Sequence, residues 1–180
     1  SVGDRDCAWA VWYRSAHYWN YPKIDEGDEG RARLTQWERD HKAGLDARVA
    51  VLQDDGWEVT VERQNKEEVK GRMATIALQP DLIATKGDRV RVEDVKTGKK
   101  KSAHVAQVTL YVSLGTLQDP KAPYRAQFQG RVAEGALVYT SPPSIQEIPP
   151  EHFTDKRAAE LWVLVARLVA EEPMNTPSYG

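Results

Sequence analysis

The sequence predicts an α/β protein with a mixed central β-sheet of four or more strands flanked by helices. Three observations predict it. Residues 57–63 alternate Trp57, Val59 and Val61 with Glu58, Thr60 and Glu62, the period-two pattern of a half-buried strand. Residues 31–53 repeat Leu34, Trp37, His41, Leu45, Arg48 and Leu52 along one side of a helix. The predicted order of helix, helix, three strands, helix, strands, helix interleaves both types without an internal repeat.

The first helix spans residues 6–18 and is rich in aromatics: Trp9, Trp12 and Tyr13 are spaced to share one face, followed by Tyr18 and Trp19. Tyr21-Pro22 and an acidic loop with Gly27 and Gly30 end it. The second helix, 31–53, stops at Asp54-Asp55-Gly56. Strands are predicted at 57–63, 73–84 and 90–95, the last two joined by a turn at 85–88. Residues 102–117 read as a helix ended by Asp119-Pro120. Short strands at 124–132, 135–140 and 144–148 follow. Pro149-Pro150 punctuates, and Thr154 caps a final helix over 155–172. Residues 173–180 read as an irregular tail.

The chain has 180 residues, 41% hydrophobic and 29% charged, enough to build a globular core without staples. One cysteine, Cys7, excludes an intramolecular disulfide and hence a disulfide-stapled secreted domain. No apolar stretch approaches a membrane span; the best, 161–170, is short and contains Arg167. No signal peptide is expected, and Ser1 in place of Met suggests a start inside a longer chain. A soluble cytoplasmic protein is expected. The net charge of −2 gives no global sign of nucleic-acid binding. Its distribution is uneven: residues 86–101 hold seven basic and three acidic groups, a local charge of +4. Solvated surface is the ordinary reading of such a run.

Two carboxylates and a lysine give that run a second meaning. Asp81 follows Pro80 on one predicted strand; Asp94 and Lys96 lie on the next, two residues apart and therefore on one face. If the two strands pair as a hairpin, Asp81 and Asp94 lie side by side. Two carboxylates about 4 Å apart repel by roughly 4 kcal/mol at a partly buried site. A proton, a cation or a metal must answer that repulsion. All-oxygen donors suit Mg²⁺ or Mn²⁺ better than zinc. An exposed Asp–Lys salt bridge is the alternative. Acidic-x-Lys triplets also occur at Asp40/Lys42, Glu68/Lys70 and Asp119/Lys121, but only that at Asp94 sits in an apolar strand after a second carboxylate. Gln107 and Tyr111, four apart on the following helix, share a face that can hold the lysine or a phosphate, although Tyr111 also suits a core.

Pro80-Asp81, Asp94-Val95-Lys96-Thr97-Gly98, His104 and Gln107-x-x-x-Tyr111 together resemble the PD-(D/E)XK nucleases. The likeness is to the RecB-like branch, including the small nucleases associated with CRISPR adaptation, and covers about residues 35–140. It implies a restriction-endonuclease-like core and metal-dependent cleavage of DNA. On it, residues 1–172 form a single nuclease domain: an aromatic helical region (1–30), a catalytic core (31–148) and a C-terminal helix (154–172). It implies that Asp81, Asp94 and the Val95 carbonyl bind Mg²⁺ or Mn²⁺, that Lys96 is catalytic, and that Gln107 and Tyr111 support the site. Members also carry a metal-binding histidine on a preceding helix. His41 matches, with a core or surface histidine as the alternative, and Glu38 stands in reserve. His104 and His17 do not occupy the expected place.

The cysteines depart from the pattern. Many such nucleases hold an iron–sulfur cluster on one N-terminal and three C-terminal cysteines, and only Cys7 is present here. One thiolate holds no cluster, so none is expected in this chain; a buried structural cysteine and a ligand completed in a longer chain are the two readings. Lys99, Lys100 and Lys101 are placed to neutralise phosphates without reading sequence. The N-terminal aromatics suit a core, stacking on single-stranded bases, or a protein interface. The expected activity is sequence-nonspecific exonuclease or end processing on single-stranded DNA, with a protein partner from repair, phage or CRISPR-adaptation machinery. A non-catalytic DNA-binding or assembly module is the alternative. No Gly-x-x-x-x-Gly-Lys loop or Cys/His zinc spacing points elsewhere.

Overall fold

The computed structural model describes residues 27–70, 75–116 and 123–170. The expected helix at 6–18 with Cys7 and its aromatics, His17, Asp119/Lys121 and the tail at 173–180 lie outside the described residues. The described elements are α1 (Gly27–Asp54), β1 (Glu58–Val61), β2 (Glu67–Lys70), β3 (Thr75–Leu78), β4 (Leu82–Lys86), β5 (Arg89–Lys96), α2 (Ser102–Gly115), α3 (Pro123–Ala126), β6 (Val132–Thr140), β7 (Pro143–Ile148) and α4 (Asp155–Ala170).

The expected α/β architecture is present as a mixed five-stranded sheet of order β1-β4-β5-β6-β7. β4 and β5 form the expected hairpin, antiparallel with Leu82 opposite Glu93 and a two-residue turn at Gly87-Asp88. β5 then pairs parallel with β6, and α2 makes the crossover that a parallel pair requires. β5 is thus the strand where antiparallel pairing gives way to parallel pairing. It is buried continuously from Val90 to Val95, as a strand covered on both faces should be.

Alternation along the strands feeds two cores. Val90, Val92, Ile83 and Leu137 pack with Val108, Tyr111 and Val112 of α2. Val95, Leu82 and Ala84 face the other way, onto Leu45 and Leu52 of α1 and onto Trp57. The helical stripe of α1 is therefore real, but only its second half meets the sheet; residues 31–40 are all exposed. Gly44 permits the closest approach: a Cβ there would stand 2.4 Å from Thr140 Cγ2. Thr154 caps α4 as expected, its Oγ1 accepting from Arg157 N–H at 3.3 Å.

Two expected strands differ. The run at 73–84 is not one strand: β3 ends at Leu78 and β4 starts at Leu82. Pro80, with no N–H to give a ladder, separates them. β3 instead pairs with β2 in a separate two-stranded sheet. Residues 124–132 do not form a strand: Pro123 opens the short helix α3, where proline's fixed φ is at home, and turns follow. Tyr124 and Phe128 both enter the core, and the Tyr124 hydroxyl donates to the Tyr111 carbonyl at 2.7 Å. Only Val132 belongs to β6, which runs through Gly135. The glycine marks a close approach of the Phe153 ring, 2.7 Å from a hypothetical Cβ, and not a strand start.

Candidate active site

Asp94 and Lys96 lie near the end of β5, on its α2 face. Asp81 immediately precedes β4, one register step beyond the Leu82–Glu93 pair, and so stands across from Asp94. Asp81 is fixed from two sides. Its Oδ2 accepts the Val95 backbone N–H at 2.8 Å and lies 3.2 Å from His41 Nε2. His41 reaches it from the opposite layer, because Leu45 and Leu52 on the same stripe anchor α1 to the sheet. The Asp81 hydrogen bond raises the His41 pKa above its ordinary value; burial opposes this, and the charges of Asp94 and Glu62 add to the rise.

Asp94 is 2% exposed. Burial, then the charge of Asp81, push its carboxyl up to about 6, while Lys96 pulls it down. Lys96 Nζ stands 2.5 Å from Asp94 Oδ2. That ion pair answers the charge of the buried Oδ2. Lys96 also donates to Gln107 Oε1 at 3.0 Å, and Gln107 Nε2 donates to the Tyr111 hydroxyl at 2.8 Å. The spacing of Gln107 and Tyr111 on α2 therefore produces a chain of contacts that orients the lysine. Burial pushes the Tyr111 hydroxyl up to about 12, so it stays protonated.

These groups line one open cleft of about 880 Å³. Lys99, Lys101, His104 and Glu38 border it too; Lys100 turns aside, its Nζ 5.2 Å from the centre of the Tyr139 ring. His104 Nδ1 lies 3.2 Å from the Tyr139 hydroxyl, away from the carboxylates' bonds. Sequence reasoning passed over two groups. Trp37 lines the cleft and stacks on His41; its place one turn before His41 on the same stripe was the available signal. Glu93, next to Asp94 on β5, is fully buried on the α1 face. Arg48 donates to both its oxygens, at 2.6 and 2.7 Å. An arginine inside the apolar stripe of α1 was the sign that a buried acid awaited it.

The donors fit a divalent cation in part: the Asp81 and Asp94 carboxylates are hard oxygen donors, and the His41 imidazole beside them is a borderline one that Mn²⁺ accepts more readily than Mg²⁺. Among the described residues no group of three or more His, Cys, Asp and Glu side chains forms a ready cage, so the protein offers a partial set. Also among the described residues, no helix is long and apolar enough to cross a membrane. No protein-family model matches this chain, and no curated protein matches its sequence.

Proposed function

We propose that the protein is a metal-dependent deoxyribonuclease of the PD-(D/E)XK, RecB-like kind. One observation carries the reading: Asp81, Asp94 and Lys96 share an open cleft, with the lysine tied through Gln107 to Tyr111. Two carboxylates with one of them buried to 2% exposure, and a lysine held against it at the wall of an open cleft, support catalysis over a retained but idle fold.

Asp81, Asp94, His41 and the Val95 carbonyl would hold Mg²⁺ or Mn²⁺, which supplies an activated water and charge stabilisation at a phosphate. Lys96, with its ammonium turned to Gln107 and to Asp94, has a third N–H to position that water or to bind a phosphate oxygen. Gln107 and Tyr111 keep the ammonium in place, so its orientation is set before substrate arrives. Lys99 and Lys101, on the same cleft wall, neutralise flanking phosphates without selecting sequence. The substrate is DNA, processed from single-stranded or duplex ends, in the cytoplasm and within a repair, phage or CRISPR-adaptation assembly. An iron–sulfur cluster belongs only to a longer chain in which Cys7 has partners.

End-labelled single-stranded and duplex DNA, incubated with Mg²⁺, Mn²⁺ or EDTA, tests the reading. Cleavage is expected with either metal and not with EDTA. Lys96→Ala and Asp94→Ala should each lower the rate at least 100-fold while Tm stays high enough for a folded protein. Unchanged cleavage in both variants would remove these residues from the chemistry. DNA binding without cleavage would favour a non-catalytic module.

A further inference from the structure

We propose that Trp37 is a nucleobase-stacking residue, and that the cleft accordingly takes nucleic acid whose bases are unpaired. The inference rests on the nuclease reading and specifies its substrate.

Tryptophan is a largely buried residue in folded proteins. Trp37 is 50% exposed, and it sits on the wall of the catalytic cleft. Its ring lies nearly parallel to that of His41, with centroids 5.3 Å apart and planes 26° apart. One face of the indole is thus taken by the imidazole. Among the described residues His41 is the one ring stacked on the indole, and half of Trp37 remains accessible. Leu34, one turn earlier on α1, is 54% exposed.

The surroundings select the occupant. His41 stands between Trp37 and Asp81, so a base on the far face of the indole would be two rings removed from the carboxylates, as a nucleotide flanking a phosphate bound there would be. Lys42 borders the cleft on the same helix, and Lys99 and Lys101 border it from the segment after β5. An apolar flat surface beside carboxylates and between cations matches a base attached to a phosphodiester backbone. A paired base inside a duplex has both faces covered by its neighbours and cannot use the indole; an unpaired base can. Stacking of this kind contributes about 1–3 kcal/mol per base.

A tryptophan that only props His41 predicts something different. Its loss would weaken every substrate alike and disturb metal binding. Anisotropy of a labelled 12-nucleotide strand and of the matching blunt duplex, both in Ca²⁺, separates the two. Trp37→Ala should weaken single-strand binding about 5- to 100-fold. Trp37→Phe should stay within about threefold, because it keeps a flat ring. Blunt-duplex binding should change less than about twofold, and the Mn²⁺-induced rise in Tm should persist. An abasic strand should bind the wild-type protein as weakly as the natural strand binds Trp37→Ala. Equal weakening for strand and duplex, or none for either, overturns the proposal. If the wild-type protein binds no DNA, this inference and the nuclease reading both fall. If it cleaves DNA while Trp37→Ala binds strands normally, only this inference falls.

Discussion

Asp94 illustrates, at the scale of one residue, how a site is made at the expense of stability. Its carboxyl is buried, faces Asp81, and titrates near 6 against an ordinary value of 3.8. The folded state therefore binds this proton more tightly than the unfolded chain does. Its contribution is fully present below about pH 4 and is lost as pH rises through about 6. Asp94→Asn removes that loss. In EDTA at pH 7.5 the variant should be more stable than wild type by about 1–3 kcal/mol, the gain vanishing below pH 4. Urea denaturation of both proteins at the two pH values measures it; a variant no more stable than wild type at pH 7.5 would show that the carboxylate is not under strain. The neighbouring residues explain which parts of the site could be read. Asp94-x-Lys96 was legible because strand periodicity alone puts both side chains on one face. The hydrogen bond from Val95 N–H to Asp81 was not, because it depends on the precise offset between β4 and β5.

Among the elements, α1 carries the largest consequence. It brings Trp37 and His41 to the cleft, and its hold on the sheet comes from Leu45, Leu52 and the Arg48–Glu93 pair. Glu93 is 0% exposed and also accepts from Arg91 Nε, which in turn reaches Glu147 at 2.6 Å. Arg48→Ala leaves a buried carboxylate with Arg91 as its remaining cation. Stability should fall by about 3 kcal/mol, the low end for breaking a buried pair, because Arg91 still compensates part of the charge. Thermal or chemical unfolding checks this, and a loss below about 1 kcal/mol would mean that water replaces the arginine. Helix α1 was legible from its repeating stripe, as were β5 and α2. The segment 124–132 was not. Its Tyr124 and Phe128 have the apolar content of a strand, and only packing under α2 decides that they serve as a helical turn.

For the whole molecule, the site lies where three layers meet. The sheet supplies Asp81, Asp94 and Lys96; α1 supplies His41 from one face, and α2 supplies Gln107 and Tyr111 from the other. β5 is the turning point between antiparallel and parallel pairing, and the crevice beyond the carboxyl end of such a strand is a frequent binding place in open α/β sheets. A cation held across these layers should stabilise the fold as a unit. Mn²⁺ at about a hundred times its dissociation constant should add about 2.7 kcal/mol, several degrees in Tm. Asp81→Asn should abolish that rise, as differential scanning fluorimetry would report; an undiminished rise would place the metal elsewhere. The sequence by itself determined the α/β class, the β4–β5 hairpin, the common face of Asp94 and Lys96, and the pairing of Gln107 with Tyr111, because local periodicity governs all four. Only the tertiary structure decided that His41 meets Asp81, that Glu93 is buried beneath Arg48, and that Trp37 stacks on His41 at the cleft while half exposed. Those relations join residues forty or more positions apart, or depend on what fails to cover a ring, and no local pattern encodes either.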